Sequence, residues 1–355
     1  MNPKKQRICV GMSGGVDSSV AAYLLKTQGY DVIGLTFRGW PQDCRSIEED
    51  KCCGPQAVAD ARMVAHSLDI PYYVVDEVDT FRREVMGYFS AEYQRGRTPN
   101  PCVICNEKVK FGSLLRKART LGAEMIATGH YARITKNGRC ELRRARDERK
   151  DQTYFLFSLN QDQLARAIFP LGELTKADVR AIAKEIGLKT YGKKESQEVC
   201  FVPENDYRRF LRESGVVEKR GEIVTRDGRV HGVHSGIHNF TIGQREGLSL
   251  GGLKQPLYVV ELEPATNRVI VGSAKELLRS EFEVSDCVWH TIEPSAPLEV
   301  MVKLRHQHPG ARAFVASLPG NRARVRLPEP QRAITPGQAA VFYRDDVVVG
   351  GGWIC

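Results

Sequence analysis

A short apolar strand that leads directly into a glycine-rich turn and a helix constrains the fold of this chain more than any other feature. Residues 7–19 are Arg-Ile-Cys-Val-Gly-Met-Ser-Gly-Gly-Val-Asp-Ser-Ser, and apolar residues then recur at helical intervals as far as Leu25. Because Gly14 and Gly15 have no β-carbon, the backbone can turn tightly and bring its amides close to an anion. The free N–H groups and the positive end of the helix that follows attract the same kind of ligand. The pattern therefore predicts a phosphate-binding loop between a strand and a helix.

This loop differs from a Walker loop, because no Gly-Lys-Ser or Gly-Lys-Thr follows its glycines. It resembles the pyrophosphate loop, Ser-Gly-Gly-x-Asp-Ser, of enzymes that cleave ATP to AMP and pyrophosphate. In such a loop we expect Asp17 to help hold Mg²⁺ beside the pyrophosphate. An ordinary glycine turn that caps a helix would also fit the glycines, but six matching residues in a strand–turn–helix context make it the weaker interpretation.

Strand and helix patterns alternate over residues 6–210, which predicts a parallel sheet covered by helices on both faces. After about residue 215 the helical patterns give way to short β-like runs separated by Gly, Pro, Asn and Asp, which predict small antiparallel barrels. We therefore expect an α/β, doubly wound parallel sheet followed by two small β-rich domains. The expected boundaries are 1–212 for the ATP-binding domain, 213–280 for the central β-rich domain and 281–355 for a C-terminal β-barrel.

The chain carries an excess of positive charge, with 52 Lys and Arg against 43 Asp and Glu and a formal charge of +9. An excess of this size favours a polyanionic partner such as nucleic acid, although it also serves solubility alone. No run of about 18 apolar residues occurs, so we expect no membrane span. The polar start of the chain lacks the apolar core of a signal peptide. These features predict a soluble, cytoplasmic protein.

Two further motifs contain cysteines. Residues 96–106 are Gly-Arg-Thr-Pro-Asn-Pro-Cys-Val-Ile-Cys-Asn, and residues 194–201 are Lys-Glu-Ser-Gln-Glu-Val-Cys-Phe. Ten cysteines scattered through 355 residues are more typical of catalysis or metal binding in a reducing compartment than of structural disulfides. The candidates for thiol chemistry are Cys102, Cys105 and Cys200.

Together with the loop, these motifs make the whole chain resemble the bacterial tRNA-specific 2-thiouridylase family, within the PP-loop ATP pyrophosphatase superfamily. Further matching segments are 127–131, 150–154, 241–245, 336–338 and 350–352. The resemblance implies an ATP-dependent tRNA uridine 2-sulfurtransferase, which adenylates the C2 oxygen of the wobble uridine and replaces it with sulfur. It also implies Mg²⁺ as cofactor, and as partners a tRNA with a wobble uridine and a sulfur donor, either a persulfide carrier or sulfide.

The resemblance also implies roles for individual residues. Cys105 becomes the nucleophile and Cys200 the carrier of a persulfide. The residues implied at ATP are Gly11, Met12, Ser13, Gly14, Gly15, Val16, Asp17, Ser18, Phe37 and Gly129. The residues implied at tRNA are Asn100, Pro101, Cys102, His130, Lys150, Asp151, Gln152, Arg305, His306 and Gln338.

Cys102 departs from the best-known family pattern, which has Asp at this position. With Cys102, Cys105 and Cys200 the chain offers three thiolates, which could hold a 4Fe–4S cluster with one open iron site. We favour this interpretation over a metal-free persulfide route. A structural zinc would need a fourth ligand, which is not obvious in the sequence. Cys102 could also simply replace Asp without any metal.

Two different functions stay open at this point. One is another enzyme with the same loop, such as an amide-forming ATP pyrophosphatase, which needs no cysteines. The second is a non-enzymatic RNA-binding protein with a cysteine-held metal. In the C-terminal part, Arg322, Arg324 and Arg326 alternate along a strand-like run, which places all three on one face. That row is either a surface for RNA or an ordinary solvated face.

Overall fold

The computed structural model describes residues 5–39, 54–192, 198–248, 250, 255–291 and 293–355. Residues 194–197 of the second cysteine motif lie outside the described residues. The contacts of the chain divide it into two compact units. The first unit comprises Met1–Met86, Cys102–Asn205 and Asp346–Val348, and the second comprises Gly87–Pro101, Asp206–Asp345 and Val349–Cys355. The domain boundaries expected from the sequence stay a prediction.

The helices of the described residues lie before residue 214, apart from short 3-10 turns. The α-helices are α1 (Val16–Thr27), α2 (Pro55–Ser67), α3 (Val78–Phe81), α4 (Gly87–Gln94), α5 (Pro101–Ile104), α6 (Leu114–Thr120), α7 (Gln161–Arg166), α8 (Lys176–Glu185) and α9 (Tyr207–Glu213). The π-helical segments are Arg82–Met86 and Cys105–Ser113. The 3-10 turns are Thr153–Phe155, Lys189–Gly192, Pro203–Asn205, Ile237–Asn239 and Ala274–Leu277.

The strands continue to the end of the chain. They are β1 (Arg7–Gly11), β2 (Asp31–Arg38), β3 (Tyr72–Asp76), β4 (Met125–Thr128), β5 (Ala132–Asn137), β6 (Arg139–Arg144), β7 (Ala167–Ile168), β8 (Gly221–Val224), β9 (Val230–His234), β10 (Tyr258–Glu263), β11 (Arg268–Gly272), β12 (Leu278–Trp289), β13 (Leu298–Lys303), β14 (Ala311–Leu318), β15 (Arg322–Arg332), β16 (Ala339–Arg344) and β17 (Val347–Ile354).

The first unit is built on a parallel sheet with the strand order β3-β2-β1-β4-β7. Its central strand is β1, whose residues Ile8, Cys9 and Val10 are fully buried. A strand covered on both faces needs a continuous apolar run rather than an alternating one, which is what the sequence shows there. Burial raises the pKa of the Cys9 thiol to about 12, so this cysteine behaves as a small apolar residue. The predicted parallel α/β sheet is confirmed.

A β-hairpin follows the parallel sheet, and the sequence patterns did not predict it. Strands β5 and β6 pair antiparallel along their length, and Val347 of β17 pairs with Arg143 of β6. Ala132 of β5 and Leu142 of β6 are fully buried. Among the described residues, no helix has the length and apolar character needed to cross a membrane.

The second unit contains two β structures. One is a sheet with the order β10-β11-β8-β9, in which β8 pairs with β11 in parallel rather than antiparallel. In the other, β12, β15, β14, β13, β16 and β17 follow one another and β12 pairs back to β17. Buried Val284, Val300 and Val325 belong to the core of this barrel. The β-rich architecture predicted after residue 215 is confirmed, apart from the parallel pair.

Within the second unit, the segment Pro336-Gly337-Gln338 holds residues 98–99, which lie before the cysteines of the first cysteine motif. The Thr98 N–H donates to the Pro336 carbonyl at 2.8 Å. The side-chain amide of Gln338 donates to the carbonyls of Thr98 and Pro99 at 3.0 and 3.3 Å. Gly337, between Pro336 and Gln338, has a φ of +89°, a backbone conformation that residues other than glycine rarely adopt.

We expect Gly337→Ala to destabilise the protein by about 2–4 kcal/mol, because the left-handed backbone and a steric clash act together. The added β-carbon would lie 2.9 Å from both the nitrogen and the oxygen of Thr98. Gly320→Ala is the matched control, since Gly320 also has a positive φ of +78°, but no atom of the described residues lies within 4 Å of an added β-carbon. That control should lose only about 1 kcal/mol. Equal losses in urea-unfolding measurements on the two variants would contradict the contact with Thr98.

Candidate active site

The glycine-rich turn after β1 is held in shape by its own hydroxyl groups. Ser18 Oγ accepts the Ser13 N–H at 3.1 Å and donates to the Gly15 carbonyl at 3.1 Å. Gly14 has φ of +70°, and a β-carbon there would lie 2.4 Å from the Ala57 carbonyl oxygen, so this position requires glycine. Gly15 differs, because its φ is −88° and the nearest atom to an added β-carbon is 3.5 Å away.

The N-terminus of α1 is therefore open for an anion. Gly15 is its N-cap residue, and a glycine has no side chain with which to cap the amides of the first turn. A helix N-terminus with uncapped amides is suited to phosphate. A β-carbon at position 15 would lie 3.5 Å from the Ser13 hydroxyl oxygen, an ordinary contact distance. The structure thus has the features of the phosphate-binding loop predicted from the sequence.

Gly129 follows β4 and approaches the same helix terminus from the neighbouring strand. A β-carbon at Gly129 would lie 2.6 Å from the Ser18 nitrogen and 2.7 Å from the carbonyl carbon of Asp17. On the other side of β1, the Met12 N–H donates to Leu35 O at 2.7 Å. The implied ATP residues 11–18 and Gly129 therefore surround one end of the sheet.

Phe37 lies near the end of β2 and is buried. Its ring centroid is 5.9 Å from that of Phe81, which in turn is 5.8 Å from that of Phe201. Phe201 directly follows Cys200 in the chain. A continuous set of aromatic contacts thus connects the position implied at adenine with the position implied to carry sulfur.

Asp17 is bound by two side chains that the sequence interpretation did not single out. Lys176 Nζ lies 2.7 and 2.8 Å from the two carboxylate oxygens of Asp17. The Tyr131 hydroxyl donates to Asp17 Oδ1 at 2.8 Å. One sequence signal points to Lys176: a cation stands in the first turn of a helix, where the positive dipole end disfavours it.

The segment implied at tRNA, residues 150–152, is fastened to Tyr131. Gln152 Oε1 accepts the Tyr131 N–H at 2.9 Å, and the Gln152 N–H donates to the Tyr131 carbonyl at 2.9 Å. Asp151 is buried, and its carboxylate accepts from the Ala145 N–H at 3.1 Å and the Thr153 hydroxyl at 2.7 Å. These contacts make Asp151 and Gln152 parts of the loop framework. Their role at tRNA, with that of Lys150, stays a prediction.

His130 is partly buried between aromatic rings, with centroids 6.2 Å from Phe111 and 6.0 Å from Phe169. Its Nδ1 lies 2.7 Å from the Thr128 hydroxyl oxygen. Burial, and secondarily the positive charge of Lys110, hold the pKa of His130 well below its ordinary value of 6.5. The imidazole is therefore neutral at pH 7, which suits a hydrogen bond or stacking with a base better than a phosphate contact.

The three candidate cysteines lie in different environments. Cys102 belongs to α5 and is exposed, whereas Cys105 is buried at the start of the π-helical segment Cys105–Ser113. π-helical turns are frequent at functional sites. Cys200 is partly buried.

The 4Fe–4S cluster at these cysteines is not shown by the described residues and stays a prediction. Over that part of the chain, which includes all three thiols, no group of three or more His, Cys, Asp or Glu side chains is arranged to hold a metal ion. We therefore derive no chemical step through a cluster.

The implied tRNA residues of the second unit differ in their surroundings. Arg305 and His306 follow β13 and are exposed. Asn100 and Pro101 are buried. Gln338 directs its amide to the backbone of residues 98–99, so the structure gives it a positioning role beside the predicted RNA contact.

The arginine row of β15 shares one face, as the alternation predicts. Glu281 and Glu283 of β12 lie opposite it. Arg326 Nε is 2.6 Å from Glu281, Arg324 is 3.1 Å from Glu283, and Arg322 also pairs with Glu283. Two carboxylates therefore offset most of the charge of the three guanidinium groups, which favours a solvated face over an RNA surface.

The fold and the loop define a nucleotide-binding α/β protein of the pyrophosphate-loop class, extended by β-rich structures. Three family models match the chain in order: the tRNA methyl transferase HUP domain over residues 6–204, the tRNA methyl transferase PRC-barrel domain over 208–273, and the aminomethyltransferase beta-barrel domain over 279–354.

Curated relatives match over the full length. A tRNA-specific 2-thiouridylase MnmA of Geobacter metallireducens is 50% identical, over 99% of this chain and 97% of that protein. The corresponding protein of Clostridium perfringens is 48% identical, over 99% and 98%. That of Clostridium tetani is 47% identical over 100% of both chains. The chain belongs to the tRNA-specific 2-thiouridylase family.

We expect the His130 imidazole to titrate with a midpoint below 6.5, because the buried site penalises the charged form. The fold gains stability from neutral His130 above pH 6.5 and loses it as the pH falls through that value toward the lowered pKa. A ¹H–¹⁵N NMR titration of the histidine side chains measures the midpoint, and a His130→Gln variant assigns the signal. A midpoint at or above 6.5 would contradict the lowered pKa of His130.

Proposed function

We propose that this chain is an ATP-dependent tRNA uridine 2-sulfurtransferase that converts the C2 carbonyl of a wobble uridine to a thiocarbonyl. The observation that carries the proposal is the uncapped phosphate loop at the end of the central strand, in a chain 47–50% identical over its whole length to tRNA-specific 2-thiouridylases. Methyl transfer, which the descriptions of the domain models mention, has no use for a loop of this type or for the cysteine motifs. We place the reaction in the cytoplasm, where tRNA is modified.

The first step converts the C2 oxygen of the uridine, which is a poor leaving group, into part of an adenylate that can leave. The C2 oxygen of the uridine attacks the α-phosphate of ATP, an O–P bond forms, and the bond to pyrophosphate breaks. The N–H groups at the start of α1 face the phosphates and stabilise their charge. A single carboxylate with phosphate oxygens and waters is an ordinary Mg²⁺ site, so Asp17 fits as the residue that would hold the ion. Bound Mg²⁺ would neutralise charge on the leaving pyrophosphate.

The second step moves sulfur from a persulfide on Cys200. The terminal sulfur attacks C2 of the adenylated base, and AMP leaves with the former C2 oxygen. The Cys105 thiolate then attacks the Cys200 sulfur, which breaks the S–S bond to the base-bound sulfur and leaves C2=S on the uridine. The two cysteines finish as a disulfide, which an external thiol reduces, and a persulfide carrier reloads Cys200.

Base access also constrains the reaction. A uridine stacked in the anticodon cannot reach a site at the end of the sheet, so the nucleotide is turned out of its stack. Neutral His130, between Phe111 and Phe169, is suited to an extruded base. The sulfur donor is a carrier that brings a persulfide of its own to Cys200.

We expect Cys105→Ser and Cys200→Ser to lower thiolation by about a thousandfold or more, because each variant removes a sulfur nucleophile. Pyrophosphate release that depends on tRNA should continue in both, since the phosphate loop is unchanged. Cys102→Ser is the matched control and should retain most of the persulfide-driven thiolation. The readouts are 2-thiouridine by nucleoside mass spectrometry and pyrophosphate in the same reaction.

Two results would contradict these steps. If wild-type protein released no pyrophosphate with ATP and tRNA, the sulfurtransferase function would be wrong. If anaerobically purified wild-type protein contained iron and sulfide, and Cys102→Ser lost both the iron and the activity, the cluster route would replace the persulfide route.

We expect Arg305→Ala to weaken tRNA binding and to lower the slope of log K against log salt by about one unit, because one phosphate contact is lost. ATP affinity should not change. Arg312→Ala is the control, since Arg312 is also exposed but its guanidinium is paired with Glu299 at 2.7 Å. If Arg305→Ala bound tRNA with the wild-type affinity and salt slope, the predicted contact between Arg305 and RNA would be wrong.

A further inference from the structure

We propose that Lys176 is a phosphate-binding residue that exchanges partners during catalysis. In this structure it pairs with Asp17, and with Mg²⁺ and ATP bound it contacts the pyrophosphate end of the nucleotide while Asp17 turns to the metal. This inference rests on the proposed ATP-cleaving function and adds to it a cation supplied from outside the loop.

The lysine is aimed at the loop and removed from solvent. Its ammonium nitrogen lies 2.7 and 2.8 Å from the oxygens of Asp17 and 5.8 Å from the centroid of the Tyr131 ring. The Lys176 side chain is 10% exposed, whereas that of Asp17 is 30% exposed. The lysine side chain is therefore more buried than the carboxylate with which it pairs. A charge this far from water needs an opposite charge close to it at every stage.

Contacts of the neighbouring residues fix the backbone position of Lys176. It is the first residue of α8, where Thr175 caps the helix and forms a reciprocal capping box with Asp178. The Lys176 N–H also donates to Asp147 Oδ2 at 3.0 Å. A shift from carboxylate to phosphate requires a change only in the flexible four-carbon side chain, so the helix does not need to move.

A purely structural ion pair does not account for this placement. Asp17 lies in the first turn of α1, where the helix dipole already favours a carboxylate, and the Tyr131 hydroxyl donates to it. Lys176 stands at a helix N-terminus, where the dipole disfavours a cation. The Asp17 carboxylate is therefore already stabilised by the helix dipole and by Tyr131. Lys176, in contrast, occupies a helical position that is unfavourable for a cation.

The loop itself has no cation to offer a phosphate. Residues 11–18 contain one charged side chain, the carboxylate of Asp17. Walker loops carry their own lysine for the terminal phosphates, and this loop lacks one. Lys176 supplies a positive charge at the corresponding place from a segment 159 residues away. A preorganised cation at the bond that breaks stabilises the charge that develops on pyrophosphate.

The first test measures binding of inorganic pyrophosphate and of AMP by calorimetry, in the presence of Mg²⁺. In Lys176→Met we expect pyrophosphate to bind about tenfold or more weakly, the loss of one charge-assisted contact, with AMP affinity unchanged. Lys176→Arg should recover part of the loss, because the charge is kept. Lys184→Met is the matched control, since Lys184 is exposed in the last turn of the same helix.

The second test separates a phosphate contact from a counter-ion. Without divalent metal, Asp17→Asn should bind pyrophosphate more tightly than wild type, because a repelling carboxylate is removed and Lys176 is released from it. Adding Lys176→Met to Asp17→Asn should abolish that gain. A mere counter-ion would have no role once Asp17 is neutral, and the double variant would bind as Asp17→Asn does.

The outcomes distinguish this inference from the function on which it rests. Wild-type protein that binds neither ATP nor pyrophosphate would contradict the proposed function. If wild-type protein binds both, two results would overturn the role of Lys176 alone: unchanged pyrophosphate affinity in Lys176→Met, or equal losses for pyrophosphate and AMP.

Discussion

The approach of Gly129 to the first turn of α1 is the constraint on which the rest of the site depends. Strands β1 and β4 pair in parallel, with Gly11 beside Thr128. The segments that follow the two strands therefore leave the sheet at the same edge. A β-carbon at position 129 would lie 2.6 Å from the Ser18 nitrogen. Only glycine therefore allows the segment after β4 to approach α1 this closely. His130 and Tyr131 follow at once. The same contact therefore shapes the phosphate loop and places His130 and the Tyr131 hydroxyl that binds Asp17.

The segment after Gly129 connects the phosphate loop with the segment 150–152. Tyr131 binds Asp17 through its hydroxyl and Gln152 through its backbone. The phosphate loop and the segment implied at tRNA thus meet at Tyr131. In the second unit, Gln338 performs a comparable positioning task, because it holds the backbone that leads into Asn100 and Pro101.

The sequence predicted well whatever depends on neighbouring residues. The apolar run 8–10 and the glycines after it predicted a central strand and a phosphate loop, because burial and backbone freedom are local properties. Contacts over long distances in the chain were not predictable in this way. Lys176 meets Asp17 across 159 residues, and β8 pairs in parallel with β11, and no local period encodes either. The sequence also treated Gly14 and Gly15 alike, whereas only Gly14 is required by its φ and by Ala57.

The proposal that the base oxygen itself attacks ATP is tested most directly by the fate of that oxygen. A tRNA whose wobble uridine carries ¹⁸O at C2 would be thiolated with ATP and a persulfide donor, and the nucleotide products would be analysed by mass spectrometry. Attack on the α-phosphate predicts one ¹⁸O atom in AMP for each 2-thiouridine formed, with unlabelled pyrophosphate. Unlabelled AMP, with the ¹⁸O in pyrophosphate or in water, would contradict the adenylation of the uridine.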